Sequence, residues 1–398
     1  MKINLSHRVS QIKPSPTLSL SAAANRLKAT GKPIINLTVG EPDFDTPEFI
    51  KQAARLALDE GYTKYTAVDG ITRLKQAVID KFKQENQLNY SLDQVIISSG
   101  AKQSIYNLMQ SLLNPGDEVI IPAPYWVSYP DMALLAEAKP VFISSSLESC
   151  LKITPKQLEA AINEKTRLFI INSPSNPTGM VYTETELKEL AKILLRHPSV
   201  FILTDDIYEH IYWGNGPFKN ILNVCPELYA RTLVLNGCSK AYAMTGWRIG
   251  YAAGPKEVIR AMANIQSQST SNPNSIAQFA AIAALTGNQD CVQDMNKIYY
   301  QRHTLLLEGL QQISGVHCLP AQGAFYSFPS FHAFIGSNRP FASDYELADY
   351  LLNKANIATV PGSAFGAPGY LRLSYAIDNI SLEKALIQLK NALVNCLR

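Results

Sequence analysis

Short apolar runs alternate with helix-like stretches through most of the chain, and this alternation constrains the fold more than any other feature. The runs are rich in β-branched residues and lie at residues 95–97, 119–121, 168–171, 201–203, 233–235 and 249–251. Between them, residues 74–82 and 187–195 repeat apolar side chains every three to four positions. Buried strands that alternate with helices predict an α/β fold with a mostly parallel sheet covered by helices.

After about residue 290 the order of elements changes. The pattern there predicts a long helix from Gln293, a strand over residues 324–328, a helix near Tyr345, strands at Ile357 and Leu371, and a final helix. One face of that final helix carries Leu382, Leu386, Leu389, Leu393 and Leu397. Because 398 residues are too many for one small core, we predict a large domain over residues 46–290 and a smaller one over residues 291–398.

Composition argues against several classes of function. The 36 basic and 33 acidic residues leave a net charge of only +3, which does not indicate a nucleic-acid or membrane partner. The longest uncharged run, residues 261–289, is polar and contains Pro273, so we do not expect it to span a bilayer. Six cysteines lie far apart without a C-x-x-C pair, which favours reduced thiols in a cytoplasmic protein over disulfides or a metal site.

A lysine follows one of the apolar runs in an unusual setting. The stretch Ser239-Lys240-Ala-Tyr-Ala-Met-Thr-Gly-Trp-Arg248 places Lys240 in what we predict to be a tight loop, with an arginine eight positions later. Burial and a nearby cation both disfavour an ammonium ion, which would make the amine neutral and nucleophilic near pH 7. A solvated loop lysine explains the same spacing about as well.

Polar residues follow two further predicted strands. Thr204-Asp205-Asp206-Ile-Tyr208 places carboxylates at the carboxyl end of a parallel strand, the edge at which α/β proteins bind ligands. Asn172-Ser-Pro-Ser-Asn176-Pro-Thr-Gly179 contains a fixed turn from which the Asn176 amide can donate a hydrogen bond. A purely structural Asx turn is the alternative for the second motif.

Three loops are weaker candidates. Ser98-Ser-Gly100-Ala-Lys102 joins a strand to a helix, whose free amides suit a phosphate, although it is not a P-loop and many turns carry glycine. Trp126 follows two prolines that would hold its ring rigidly, but a tryptophan is more often a core residue. Gly40 leaves its amide free beside Pro42, as a plain interdomain turn also would.

The stretch around Lys240 resembles the Schiff-base lysine signature of class I aminotransferases, the pyridoxal-phosphate (PLP) enzymes of fold type I. The resemblance extends from Lys13 to about Tyr375, with eight motifs in the family's order, and is strongest to bacterial aspartate aminotransferases of the subgroup with prephenate-accepting members. It implies a large domain with a mostly parallel seven-stranded sheet plus a smaller α/β domain. Residues 1–45 would form an N-terminal arm and part of the smaller domain, and we expect no presequence.

The resemblance assigns roles around the ring of a PLP cofactor. Lys240 would form the Schiff base and move protons, and Asp205 would keep the pyridine nitrogen protonated. Tyr208 and Asn176 would hydrogen-bond the phenolic oxygen, while Trp126 would stack on the ring. Asp206 would be a bystander, since the family usually has glutamate there.

The resemblance also assigns the phosphate site. Gly100, Ala101, Lys102 and Arg248 would hold the phosphate together with Tyr65 of the partner subunit. Such a shared contact implies a homodimer whose active sites are completed by the neighbouring chain.

The substrate would lie against Gly40, Trp126 and Asn176, and its α-carboxylate would be bound by Arg372 in Tyr370-Leu-Arg-Leu-Ser-Tyr375. Two features depart from the family's other main subgroup. Gly237 replaces a phosphate-binding serine, and no arginine occurs over residues 271–275 to bind a second carboxylate. Lys13 and Lys102 are candidates for that second carboxylate.

These features predict a PLP-dependent aminotransferase that works by ping-pong half-reactions on L-aspartate and 2-oxoglutarate. An aromatic amino acid or prephenate is the nearest alternative, and a PLP-dependent lyase is a more distant one. A transcription regulator with an aminotransferase-like domain would need a DNA-binding domain, and we expect none in the roughly forty residues before Gly40. We predict no bound metal.

Overall fold

The computed structural model describes residues 3–14, 16–394 and 396. Its strands are β1 Ile35–Asn36, β2 Val95–Ser98, β3 Glu118–Ala123, β4 Lys139–Ser144, β5 Thr166–Asn172, β6 Phe201–Asp205, β7 Thr232–Gly237, β8 Gly250–Ala253, β9 Tyr326–Ser327, β10 Ile357–Ala358, β11 Val360–Pro361 and β12 Leu371–Ser374. Its α-helices are α1 His7–Gln11, α2 Pro16–Ala29, α3 Glu48–Asp59, α4 Thr72–Asn86, α5 Ala101–Leu112, α6 Ser128–Leu135, α7 Pro155–Ala161, α8 Glu184–Arg196, α9 Ile221–Val224, α10 Cys238–Ala241, α11 Lys256–Ser269, α12 Ser275–Thr286, α13 Asp290–Gln311, α14 Asp344–Ala355 and α15 Asn379–Leu393.

A seven-stranded sheet with the order β2-β8-β7-β6-β5-β3-β4 organises the described residues. Neighbours from β7 to β4 pair in parallel, whereas β8 runs antiparallel to β7 and β2. Five of the six apolar runs picked out in the sequence lie within strands of this sheet, and the sixth, residues 249–251, begins one residue before β8. The seventh strand, β4, lies at the sheet edge, contains Pro140 and is mostly exposed or half-buried, so it carries no continuous apolar run.

Side chains alternate between the two faces of this sheet. Ile97 and Phe169 belong to one buried cluster together with residues of α4 and α12, while their neighbours Ile96 and Leu168 belong to another with residues of α5 and α11. Strands that bury both faces need apolar residues at every position, which explains why the runs are continuous and not alternating.

A further core lies in the rest of the chain. It joins Leu37 and Tyr208 to apolar residues of α13, α14 and α15, and β1 pairs in parallel with β10. Helix α13 begins at Asp290, three residues before the predicted start. On α15, Leu382, Leu389 and Leu393 are buried and Leu386 is partly buried, whereas Leu397 lies outside the described residues. The predicted domain boundaries stay a prediction.

The carboxyl ends of β5, β6 and β7 lie side by side, at Asn172, Asp205 and Gly237. Polar side chains placed there converge on one edge of the sheet, as the position of the motifs predicts. Lys240 lies on the single-turn helix α10 that follows β7, so the predicted loop was wrong in detail. In the described part of the chain, no helix is both long and apolar enough to cross a membrane.

Candidate active site

A cavity of about 430 Å³ opens at this edge of the sheet. Most of the predicted site residues line it, namely Gly40, Ala101, Lys102, Trp126, Asn176, Asp205, Tyr208, Lys240, Arg248 and Arg372. Gly100 lies directly behind the Arg248 side chain. Tyr65 does not line the cavity, and its side chain is 92% exposed. The structure therefore brings together, within one chain, the predicted cofactor and substrate residues except this tyrosine and the candidate Lys13.

Lys240 has the setting of a nucleophilic amine. Its Nζ donates a hydrogen bond of 2.6 Å to the carbonyl oxygen of Gly40. Burial, with the charges of Arg372 and Arg248, lowers the pKa of Lys240 to about 8 against the opposing charges of Glu41 and Asp205. A shift from 10.5 to about 8 increases the neutral fraction of the amine near pH 7 by roughly 300-fold.

Asp205 is a buried carboxylate at the end of β6, with 4% of its surface exposed. Its Oδ2 accepts a hydrogen bond of 2.6 Å from the hydroxyl of Tyr129, and its Oδ1 accepts one of 3.3 Å from the backbone N–H of Ile207. Burial raises the pKa of Asp205 to about 6. Because both donors are neutral groups, the ionised carboxylate would be stabilised by a cation placed against it in the cavity.

Tyr208 lies in a pair with a tyrosine that the sequence did not single out. The hydroxyls of Tyr208 and Tyr326 are 2.8 Å apart, and the Tyr326 hydroxyl is 3.0 Å from the position that a Cβ on Gly40 would take. Any side chain at position 40 would press on this hydroxyl. Tyr326 and Tyr129 have no motif of their own, since their roles depend on contacts with residues more than seventy positions away.

Arg372 is a buried guanidinium with 2% of its surface exposed. Its Nη1 donates to Oδ1 of Asn176 at 3.0 Å and its Nη2 to the carbonyl oxygen of Thr38 at 2.6 Å. Its Nε has no hydrogen-bond partner among the described residues, and its Cζ lies 4.5 Å from the ring centre of Tyr326. A buried arginine that contacts only neutral acceptors and keeps a free donor is suited to bind a carboxylate.

The loop before α5 approaches Arg248 closely. Gly100 has a φ of +89°, and a Cβ on it would lie 2.3 Å from Nη2 of Arg248. Arg248 also donates from Nη1 to the carbonyl oxygen of Thr245 at 2.9 Å. A helix N-terminus beside a guanidinium forms a seat for an anion.

The two departures noted in the sequence have structural explanations. A Cβ on Gly237 would lie 3.0 Å from backbone atoms of Ile249 and Gly250, so the packing of β7 against β8 leaves little room for a side chain there. Of the two candidate lysines, Lys102 lines the cavity with Nζ 4.9 Å from the ring centre of Trp126. Lys13 does not line it and instead lies close to Asp131.

The cavity as a whole is positive. Its lining includes the cations Lys102, Lys240, Arg248 and Arg372, against the carboxylates of Glu41 and Asp205. Such a lining attracts a ligand or substrate with several negative groups, and it offers one amine that can act as a nucleophile or a base. Cys238 takes no part, because burial raises the pKa of its thiol to about 12.

Known proteins resemble this chain over nearly its full length. An aspartate/prephenate aminotransferase of Nitrosomonas europaea is 54% identical over 396 residues, which cover 98% of this chain and all of the relative. Among solved structures, the aspartate aminotransferase of Rhizobium meliloti has a TM-score of 0.95 at 46% identity, over 98% of this chain and 99% of that one.

The aspartate aminotransferase of Thermus thermophilus, solved with maleate, has a TM-score of 0.92 at 42% identity, over 98% of this chain and all of that one. These structures confirm the predicted fold type I architecture. A sequence model of the family "Aminotransferase class I and II" matches residues 32–389. The chain therefore belongs to the class I and II aminotransferases.

Proposed function

We propose that this aminotransferase binds PLP and transfers the amino group of L-aspartate to 2-oxoglutarate in two half-reactions. The observation that carries the proposal is the convergence of an amine of lowered pKa, Lys240, and a buried arginine with a free donor, Arg372, in one positive cavity. The relatives named above act on aspartate according to their names, and one was solved with maleate, a dicarboxylate like aspartate.

The residues present suit PLP, on which the family depends. The ring nitrogen of PLP would meet the buried carboxylate of Asp205, whose donors are neutral. The phosphate would take the anion seat formed by Gly100 and Arg248, and Trp126 offers an aromatic face in the cavity lining. When bound, PLP supplies an aldehyde that condenses with amines and a ring that accepts the electron pair of a broken Cα–H bond.

The side chains of this protein supply proton transfer and orientation. Lys240 in its neutral form accepts the proton from the substrate Cα and returns it as a general acid, since its pKa lies close to neutral pH. Asp205 holds a proton on the ring nitrogen by its negative charge. Tyr208 would hydrogen-bond the phenolic oxygen of the cofactor, and Tyr326 hydrogen-bonds the hydroxyl of Tyr208. Arg372 orients the substrate through its α-carboxylate.

The second carboxylate of the substrate requires another cation. We propose Lys102 for it, since Lys102 lines the cavity and burial, with help from Arg248, lowers the pKa of its amine. A carboxylate bound next to Lys102 would stabilise the ammonium form of the lysine. Lys13, which lies close to Asp131 and does not line the cavity, stays the second candidate.

An assay of amino donors tests the proposed reaction. With L-aspartate and 2-oxoglutarate, the PLP-loaded protein should form oxaloacetate and glutamate in equal amounts. Pyruvate or free ammonia from the amino donor would indicate a lyase, and activity confined to aromatic amino acids would contradict the aspartate specificity. Prephenate as amino acceptor is the second candidate, because the relative in Nitrosomonas europaea is named for both substrates.

Exchanging Gly100 for alanine should weaken PLP binding. The new Cβ would displace the guanidinium of Arg248, and loss of one charge-assisted hydrogen bond to a phosphate corresponds to roughly 10- to 100-fold in the dissociation constant. Titration of the cofactor-free protein with PLP measures the effect. Gly116→Ala is the matched control, because Gly116 has a φ of +90° with nothing near its Cβ, so it carries the same backbone strain away from the cavity. Equal affinity in both variants would count against the phosphate seat.

Replacing Arg372 by lysine should lower kcat/KM for aspartate by about 100-fold, since lysine keeps the charge but loses the planar fork that binds a carboxylate. Affinity for PLP should change much less, because the hydrogen bonds of Arg372 go to Asn176 and Thr38 and not to Asp205 or the phosphate seat. The control Arg167→Lys alters an exposed arginine paired with Asp117. A kcat/KM within threefold of wild type at position 372 would show that another group binds the α-carboxylate.

We propose a homodimer in which Tyr65 of the partner subunit completes each phosphate site. The support is that the Tyr65 side chain is 92% exposed and absent from its own chain's cavity. Subunits carrying Lys240→Arg should therefore complement subunits carrying Tyr65→Ala at limiting PLP. Random mixing makes half of the dimers hybrids with one intact site, which predicts recovery of about a quarter of wild-type activity. If no activity is recovered, Tyr65 does not contribute to the phosphate site of the partner subunit.

A further inference from the structure

A buried ammonium ion lies behind the active site, among residues that do not line the cavity. Lys81, near the end of α4, has only 1% of its side chain exposed. Its Nζ contacts Oε1 of Glu209, donates to Oδ1 of Asn86 at 2.7 Å and lies 3.5 Å from Oε2 of Glu85. The amine is thus surrounded by acceptors with little access to solvent.

Glu209 is bound from three sides. Besides Lys81, its Oε2 accepts from Nδ2 of Asn86 at 2.7 Å, and its Oε1 accepts from Nδ2 of Asn236 at 2.6 Å. Asn236 in turn accepts from the N–H of Gly237 at 2.7 Å. A carboxylate with this many donors is held in one position.

These contacts join the two segments that carry the reacting groups. Glu209 directly follows Tyr208. Asn236 lies near the end of strand β7, four residues before Lys240. Helix α4 contributes Lys81 and Asn86 to the junction. The Lys81–Glu209 pair therefore connects the segment that carries Tyr208 with the segment that carries Lys240.

The same cluster resembles a metal site but is already filled. Glu85, Glu209 and His210 offer ligand atoms within 4.8 Å of one another. The ammonium of Lys81, however, contacts both carboxylates. The charge that a metal ion would supply is thus supplied by the protein.

We propose that Lys81 and Glu209 form a positioning pair for the transamination reaction, holding Tyr208 in register with Lys240. A buried ion pair adds little net stability compared with apolar residues of the same size, so its value lies in the single geometry that it enforces. The inference rests on the proposed function, because it assigns the pair to that active site.

Lys81→Met, Glu209→Gln and the double variant test the pair. Each should lower kcat per PLP-loaded site by about 10- to 100-fold, the usual result of a small misplacement, with KM for aspartate within about threefold. The pH midpoint of the absorbance of bound PLP should move upward, since a displaced Tyr208 hydroxyl stabilises the phenolic oxygen less. Lys188→Met, which breaks the exposed pair with Glu184, is the control and should change none of these.

The double variant separates positioning from stability. It removes both buried charges, so its urea midpoint should return toward wild type while kcat and the absorbance midpoint stay altered. A folded double variant with wild-type kcat and an unshifted midpoint overturns the proposal. If the double variant does not fold, Asn236→Ala removes the hydrogen bonds of Asn236 with Glu209 and Gly237 without removing a charge, and the same two readouts decide. The absorbance midpoint needs no amino donor, so it remains informative even if wild-type protein fails to transaminate aspartate.

Discussion

Lys240→Arg should lower kcat for transfer from aspartate by at least about 10⁴-fold, because it removes both the nucleophilic amine and the proton-transfer group. Arginine keeps a positive charge but does not become a neutral base near pH 7, whereas burial brings the pKa of Lys240 to about 8. Steady-state assay of the purified variant measures the loss. PLP should still bind, since the phosphate seat and Asp205 are untouched.

Lys188→Arg makes the same exchange at an exposed position and controls for the change of residue type. Its kcat should match wild type. A Lys240→Arg variant that keeps kcat within tenfold of wild type, with PLP bound, would remove Lys240 from the chemistry and leave the proton transfer to another group.

Asp205→Asn should lower kcat by about 10³-fold and, at the same time, stabilise the cofactor-free protein. Loss of the charge that keeps the ring nitrogen protonated removes a preorganised electrostatic contribution, for which factors of 10² to 10³ are usual. The stability gain follows from burial, which raises the folded-state pKa of Asp205 from 3.8 to about 6. Such a group favours folding below pH 4 and loses that contribution as the pH rises through 6.

Urea unfolding of both cofactor-free proteins measures the stability effect. At pH 7.5 the free energy of unfolding of the variant should exceed that of wild type by about 2 kcal/mol. The pKa shift of Asp205 by about two units corresponds to about 3 kcal/mol, and the weaker hydrogen bond from Tyr129 to asparagine offsets about 1 kcal/mol of it. At pH 4 the difference should vanish, since wild-type Asp205 is then neutral when folded. Burial raises the pKa of Asp206 to about 7, and the charge of Asp205 contributes to the rise. Asp205→Asn should therefore also lower the pKa of Asp206, which adds to the stability gain at pH 7.5 in the same direction. We compare the free energy of unfolding of the variant with that of wild type at each pH. If the variant's advantage at pH 7.5 is no larger than at pH 4, the burial cost assigned to Asp205 is contradicted.

The sheet was predictable because its strands are buried on both faces. Such strands are continuous apolar runs, and each of the six runs picked out overlaps a strand of the observed sheet. The edge strand β4 was not predicted, because half of its residues are exposed to solvent and it carries no continuous apolar run. The helical turn that contains Lys240 was not predicted, because a four-residue helix is too short to show a periodic pattern in the sequence.

The site was predictable where motifs lie at strand ends, as at Asp205 and Lys240, since parallel strands bring their carboxyl ends together. Tyr129, Tyr326 and the Lys81–Glu209 pair were not found, because each acts through a partner distant in sequence. Buried polar residues of this kind read as ordinary helix or strand positions until the packing is known. Arg372 is intermediate: the family resemblance indicated its role, but the free Nε became evident only in the structure.

Borohydride reduction of the PLP-loaded protein, followed by peptide mapping, tests the central claim most directly. Hydride adds to a carbon–nitrogen double bond between cofactor and amine, which fixes PLP on whichever lysine carries it. We predict a single modified peptide, the one that contains Lys240, and loss of the modification in Lys240→Arg. Modification of Lys102 or another lysine in place of Lys240, or no modification at all, would contradict the assignment.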